Sequence, residues 1–390
     1  MKAECKNNIL TVFLEGRIDS YNAEQVEKEV NEIRSANTYS EIVFDAGELK
    51  YISSAGLRMV LRTRKAEPTL KIINVCPDVY DIFDMTGFTE MITVEKAFRT
   101  LSVDGCEIIG RGAKGTVYRY DPETIIKVYK NPDSLPDIKN ERELARKAFV
   151  LGIPTAISYD VVKVGDSYGS VFELLSAKSF SQLIAEEPGK IDEYVKLYAE
   201  LLKKIHTTEV KADDMPDIKE TVMKWVNADT PYLEADKAEK LKTLVEAVPD
   251  TLNMLHCDYH TNNIMMQNGE TLLIDMDTLA HGHPIFELAN IYITYVGFGE
   301  ENPQIVESFI GLPYKTATLI WDKFLPLYLD TNDEEKLNEV CGKVKLLSYT
   351  RLMRHTVRRG GADTEEGRKT IAFCRERMNA LLDEITTLEF

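Results

Sequence analysis

The sequence predicts a multidomain chain, an α/β layer domain followed by a bilobal α+β region. Three observations carry that expectation. The chain has 390 residues, enough for two to three domains at roughly 100–200 residues each. Strand-like and helix-like segments alternate through the first hundred residues, as in an α/β layer. From Cys106 a run of short strands begins, and from Ser179 the pattern is helical almost throughout.

The elements follow in order. Residues 8–16 read as a strand ending at a turn, and Tyr21 to Ser35 as a helix with Val26, Val30 and Ile33 on one face. Residues 41–45 read as a buried strand, and Ser54 to Lys65 as a helix that buries Leu57, Val60 and Leu61. A strand over 70–75 and a short helix over 79–85 complete the first domain, residues 1–100. The second domain spans 105–390. Its small lobe, about 105–175, holds strands at 106–111, 115–120 and 123–130, a helix at about 137–151, and strands at 157–164 and 168–175. Its helical lobe, about 179–390, is broken by a strand pair near 264–275.

Composition narrows the function classes. With 44% hydrophobic and 28% charged residues the chain is globular in character. A net charge of −17 argues against a nucleic-acid partner, which needs clustered Lys and Arg. No apolar run approaches a membrane span, the N-terminus does not read as a signal peptide, and six scattered cysteines without a CxxC pair suit reduced thiols. A cytoplasmic protein with no membrane partner is expected. Four of the histidines (256, 260, 281 and 283) cluster in sequence but lack the ligand spacing of a zinc site.

The chemistry concentrates in residues 105–290. Gly110, Gly112, Gly115 and Val117 fit G-x-G-x-x-G-x-V between two strands, where glycines would let the backbone close over phosphates and take positive φ. A glycine-rich β-turn is the bland alternative. Lys127 lies in an apolar strand just after this loop, placed for a phosphate contact. Its partner should be a helical carboxylate. Glu141 shares a face with Leu144, Ala145 and Ala148 and is preferred to Glu143, whose face carries Arg146 and Lys147.

The strongest signal is His256-Cys257-Asp258-Tyr259-His260-Thr261-Asn262-Asn263, which carries H-x-D-x-x-x-x-N. Asp258 would accept or orient an acceptor's hydroxyl proton. Asn263 would offer a neutral oxygen to Mg²⁺, and Asp275, at the end of Leu272-Leu273-Ile274-Asp275, a carboxylate, with Asp277 close enough to help. Cys257 reads as a small filler rather than a nucleophile, because no base is spaced to activate it.

Residues 105–300 resemble the aminoglycoside phosphotransferases, relatives of choline kinases. The resemblance rests on His256-x-Asp258-x-His260-x-x-Asn263, on Ile274-Asp275-Met276-Asp277, and on His283-Pro284-Ile285-Phe286-Glu287-Leu288-Ala289. It implies a bilobal protein-kinase-like fold, ATP and Mg²⁺ as cofactors, and a hinge at Glu173 and Leu175 whose backbone meets adenine. It also implies a loop-bracing role for Glu287, where the family has Asp. Beyond about 300 only helices are legible, where such proteins shape the acceptor pocket.

The first domain resembles a STAS domain, the fold of anti-anti-sigma factors. The resemblance is carried by Leu14-Glu15-Gly16-Arg17-Ile18-Asp19, by 42–45 followed by Tyr51-Ile52-Ser53-Ser54-Ala55-Gly56-Leu57, and by 71–88. Aligned on Gly56-Leu57, the serine that a partner kinase phosphorylates in the bacterial regulators is Ser54. A helix N-terminus would stabilise a phosphate there. Equally, Ser53 or Ser54 could only cap the helix.

The sequence thus predicts an ATP-dependent phosphotransferase acting on a hydroxyl, with a regulatory or partner-binding STAS domain. A small-molecule acceptor is favoured, because only a few residues separate Asp277 from His283-Pro284 and no activation segment is evident. The alternative is a partner-switching regulator whose kinase-like domain only senses nucleotide.

Overall fold

The computed structural model describes residues 1–112, 114–175 and 177–390. The chain divides into two compact units, Met1–Ser102 with Val161–Asp166, and Val103–Asp160 with Ser167–Phe390.

The first unit is built on a five-stranded sheet in the order β1 (Ala3–Lys6), β2 (Ile9–Ile18), β3 (Glu41–Ile52), β4 (Lys71–Val75), β5 (Thr93–Lys96). The β1–β2 pair is antiparallel and the other pairs are parallel. Parallel neighbours need crossover segments. Helix α1 (Ala23–Ala36) joins β2 to β3, α2 (Ser54–Ala66) joins β3 to β4, and α3 (Pro77–Met85) with the single turn α4 (Phe88–Met91) joins β4 to β5. Leu10, Val12 and Leu14 alternate inward along β2 and meet Ile42, Phe44 and Ala46 of β3, Ile72 of β4 and Val60 of α2 in one core.

Strand β3 continues well past residue 45, where the sequence suggested it would end. Its burial phase slips between Ala46 and Leu49, and its pairing with β2 shifts register between Phe13 and Glu15. A strict two-residue alternation loses a strand at such a slip. Helix α2 starts at a capped end, with the Ser53 hydroxyl accepting from Ala55 N–H at 3.2 Å. A Cβ at Gly56 would lie 2.7 Å from Ile52 and 2.8 Å from Ile18, so only glycine lets this helix approach the sheet so closely.

Strand β6 (Arg99–Leu101) closes this part of the chain. In the second unit β7 (Glu107–Arg111), β8 (Gly115–Arg119) and β9 (Thr124–Tyr129) form an antiparallel meander. Helix α5 (Leu135–Val150) follows. Strand β10 (Asp160–Val164) returns to the first unit over Val161–Val164 and pairs there in parallel with β6, and β11 (Ser167–Glu173) of the second unit pairs antiparallel with β9.

The rest of the second unit is mainly helical. After β12 (Lys178–Ser179) come α6 (Phe180–Glu186), α7 (Ile191–His206), α8 (Ile218–Asp229) and α9 (Ala235–Glu246). Short strands β13 (Met254–Leu255), β14 (Ile264–Gln267), β15 (Glu270–Leu273) and β16 (Ala280–His281) follow. The chain ends with α10 (Ile285–Tyr295), α11 (Pro303–Ile310), α12 (Tyr314–Leu329), α13 (Glu334–Arg358) and α14 (Glu365–Glu384). Helix α10 is buried on every face, which makes it the centre of this core. Among the described residues no helix is long and apolar enough to cross a membrane.

Candidate functional site

A cleft of about 840 Å³ in the second unit is lined by residues from β7 to α13. Gly110, Gly112, Gly115, Val117, Lys127, Glu141, Glu173, Leu175, Asp258, Asn263 and Asp275 all face it. The structure therefore brings together the whole set of kinase-type residues selected from sequence. Ser54 lies in the first unit.

The glycine loop is the turn of the β7–β8 hairpin, with Gly112 N–H donating to the Gly115 carbonyl at 2.9 Å. The expectation that these glycines take positive φ is not met, since none of the three has a positive value. What glycine supplies is close approach. A Cβ at Gly115 would fall 2.5 Å from the Val128 carbonyl oxygen, whereas Gly110 and Gly112 have room for one. Ala113, inside the motif, lies outside the described residues.

Lys127 on β9 reaches Glu141 on α5 and Asp275 after β15, at 3.0 Å each. Burial works against its ammonium, but the two carboxylates outweigh burial and hold its pKa above the ordinary lysine value. Glu141 is buried and also accepts from the Tyr129 hydroxyl at 2.8 Å. Glu143 is bound instead to Arg146 at 2.8 Å on the solvent side. Helical periodicity thus identified the inward carboxylate.

Leu174 N–H donates to the Glu123 carbonyl at 2.7 Å, while Phe172, Glu173 and Leu175 around it line the cleft.

The loop after β13 carries Asp258. Its conformation is dictated by Glu287, fully buried on α10. One carboxylate oxygen accepts from His256 N–H at 2.8 Å and from the His206 ring nitrogen at 2.9 Å; the other accepts from Cys257 N–H at 2.7 Å. The opposite His206 ring nitrogen meets the Tyr328 hydroxyl at 2.6 Å. The loop's turn places Cys257 at φ +65°, a left-handed conformation that costs a side-chain-bearing residue energy. Cys257 is therefore more than a small filler: it occupies a position whose backbone suits glycine.

Asp258 lies 3.6 Å from the His260 ring nitrogen. Burial by itself would raise its pKa, but His260, with His256 and Arg351 nearby, reverses the sign and pulls it down to about 2. The Asn263 amide nitrogen donates to the Asp258 carbonyl at 3.0 Å and lies 3.4 Å from its carboxylate, which leaves the amide oxygen as an acceptor. Asp275 has φ +64° at the end of the β14–β15 hairpin. Asp277 forms an ion pair with Lys114 of the glycine loop. Ligand oxygens of Glu141, Asp275 and Asp277 lie within 4.8 Å of one another.

Sequence reasoning missed two contributors. Lys114 stood within the glycine motif at a position the motif leaves open. Arg351 on α13 lines the cleft beside Cys257 and Asp258 but belongs to no local motif.

In the first unit Ser53 takes the capping role, and Ser54, the first residue of α2, is exposed.

Comparison with known proteins finds similar proteins for both parts of the chain. The BtrV protein of Bordetella bronchiseptica, a candidate anti-sigma factor antagonist, is 35% identical over 92 residues, covering 23% of this chain and 78% of that protein. Among solved structures, the ADP-bound aminoglycoside phosphotransferase APH(2'')-Ib is 14% identical with a TM-score of 0.48, covering 77% of this chain and 98% of its own. A choline/ethanolamine kinase family protein from Mesorhizobium loti is 13% identical with a TM-score of 0.46, covering 71% and 88%. The STAS domain profile matches residues 1–102, and the profile of the phosphotransferase enzyme family matches residues 105–312. The chain belongs to the phosphotransferase enzyme family and carries that kinase-like domain behind an N-terminal STAS domain.

Proposed function

We propose that this protein transfers the γ-phosphoryl group of ATP to a hydroxyl of a small molecule. The observation that carries the reading is the placement of Asp258. It faces the same cleft as the glycine loop and the Lys127–Glu141 pair, on a loop held by Glu287.

The chemistry follows from these residues. The acceptor hydroxyl hydrogen-bonds to the Asp258 carboxylate, which aligns its oxygen with the γ-phosphorus. As the new O–P bond forms, the bond from γ-phosphorus to the β–γ bridging oxygen breaks, ADP leaves, and the hydroxyl proton passes to Asp258. A carboxyl with a pKa of about 2 is ionised at neutral pH but is a weak base. Asp258 therefore chiefly orients the hydroxyl and takes its proton late, when the acceptor oxygen has become acidic. Lys127, held by Glu141, is placed to bind phosphate oxygens, and the close-packed glycine loop to cover them.

Mg²⁺ takes hard oxygen ligands. Asp275, Asp277 and the Asn263 amide oxygen offer that donor set, and the carboxylate cluster fits a cation. When bound, Mg²⁺ would neutralise phosphate charge. Lys127 and Lys114, which pair with the two aspartates in this structure, would then be available to phosphate oxygens.

A protein partner at the STAS domain is the second element of the proposal. With Ser53 occupied as the cap, the exposed Ser54 hydroxyl is available for phosphorylation at a helix N-terminus.

The test of the enzyme reading is Asp258→Asn. It should bind ATP about as well as wild type and lose acceptor-dependent ADP release. Asp275→Asn should weaken binding of the nucleotide with its metal. Equal turnover by wild type and Asp258→Asn on any acceptor would refute the assignment.

A further inference from the structure

We propose that the acceptor is an anion-bearing hydroxyl compound, whose carboxylate or phosphate is bound by Arg351. This rests on the phosphotransferase reading and names the substrate class of the same site.

Arg351 lies on α13, far along the chain from the glycine loop and Asp258, and lines the cleft beside Cys257 and Asp258. It is half-buried, and its guanidinium stacks on Trp225 of α8 with 5.6 Å between the guanidinium carbon and the ring centroid. Trp225 thus fixes its direction without neutralising its charge. The carboxylates whose charge acts on it are those of Asp258 and Glu287. Both are committed elsewhere: Glu287 to His206 and two backbone donors, Asp258 to His260 and Asn263. Neither forms an ion pair with Arg351. Among the described residues no carboxylate lies within 4.0 Å of its guanidinium. A desolvated charge without a partner is costly, whereas the same guanidinium becomes a planar, bidentate receptor once an oxyanion arrives.

The charges carried by α13 itself have the same sign, while the nearby Asp258 and Glu287 carboxylates oppose it. Arg354, His355 and Arg358 follow Arg351 at helical spacing along α13. The charged side chains that act on His355 are Arg359, Arg351, Arg358 and Arg354, and with burial they depress its pKa to about 4. A cationic group of an acceptor brought to the Arg351 side of Asp258 would be repelled by the guanidinium there. An anionic acceptor would be drawn in with its hydroxyl left to Asp258. Lys127 and Lys114 lie at the glycine-loop end of the cleft, where they pair with Asp275 and Asp277.

Two measurements on the full chain test this. In the first, inorganic phosphate is titrated calorimetrically into protein saturated with Mg²⁺ and the non-hydrolysable analogue AMP-PNP. Wild type should bind phosphate, Arg351→Gln about tenfold or more weakly, and Arg351→Lys between them. In the second, ADP release is followed with matched acceptors: glycerol, glycerate and glycerol 3-phosphate; glucose, gluconate and glucose 6-phosphate; and choline and kanamycin. An anionic member should exceed its neutral partner about tenfold in kcat/KM, and the hydroxy acid and phosphate ester arms identify which oxyanion is bound. Arg351→Gln should act on the acceptor KM rather than the ATP KM.

Arg351-dependent phosphate binding without turnover of any acceptor would leave the anion site standing and sink the phosphotransferase reading. Turnover confined to neutral or cationic acceptors would overturn the anion site while leaving the enzyme reading intact. A rise in the ATP KM on Arg351→Gln, or phosphate binding indifferent to Arg351, would also overturn it.

Discussion

Replacing Glu287 by Gln tests whether one buried carboxylate holds the loop that carries Asp258. The substitution preserves volume and one acceptor oxygen. That oxygen can keep the site that receives His256 N–H and His206, leaving the new amide NH₂ against Cys257 N–H, where Glu287 now accepts at 2.7 Å. Two donors would then face each other in a fully buried position. An orphaned buried N–H costs about 1–3 kcal/mol, and a bond to a neutral acceptor is roughly half as strong as one to a charged acceptor. Together these predict a loss of about 2–4 kcal/mol, or a fall in Tm of about 3–7 °C for a unit of this size. The two tryptophans, Trp225 and Trp321, both lie in the second unit, so their fluorescence follows its unfolding separately from the first. Glu287→Asp keeps both charged oxygens and should lose less. A Glu287→Gln protein melting within about 1 °C of wild type would show that the loop is held by other contacts and refute the bracing argument.

Three further outcomes are expected. Lys127→Met and Glu141→Gln should each weaken nucleotide binding in equilibrium titrations, with the double variant costing less than the sum, whereas Glu143→Ala should be nearly silent because its carboxylate faces Arg146. Asp229 is fully buried with both carboxylate oxygens unpartnered, and burial raises its pKa to about 8, with Arg354 opposing. The folded state therefore holds that proton more tightly than the unfolded chain, and stability falls as pH rises from about 4 to about 8. Asp229→Asn should remove that part of the decline, on the order of a few kcal/mol by pH 8, in thermal melts across this range, and parallel curves for the two proteins would contradict it. Cys257→Gly should fold and retain activity, since glycine accepts φ +65° without strain, whereas Cys257→Val should lose about 2 kcal/mol or more in the same melts.

What the sequence alone determined is what short-range pattern encodes. The spacing of Asp258, Asn263 and Asp275 spans one loop and one hairpin, so their convergence follows from local geometry. Glu141 was legible because inward and outward faces of a helix alternate with a known period. The STAS centre was legible because a strand, a capped helix start and a glycine at the crossing lie next to one another in the chain. Only tertiary structure decided the rest. The length of β3 depended on a register slip against β2. The loop-bracing role that the family resemblance implied for Glu287 acquired its partners, His206 of α7 and two backbone donors, only once α10 and α7 were packed on the loop that carries Asp258. Arg351 carries no motif, because its role comes from where α13 crosses the cleft and from the carboxylates near it being taken by other donors. A residue's position in the chain sets its helical face, but whether its charge finds a partner depends on which distant side chains the fold brings beside it.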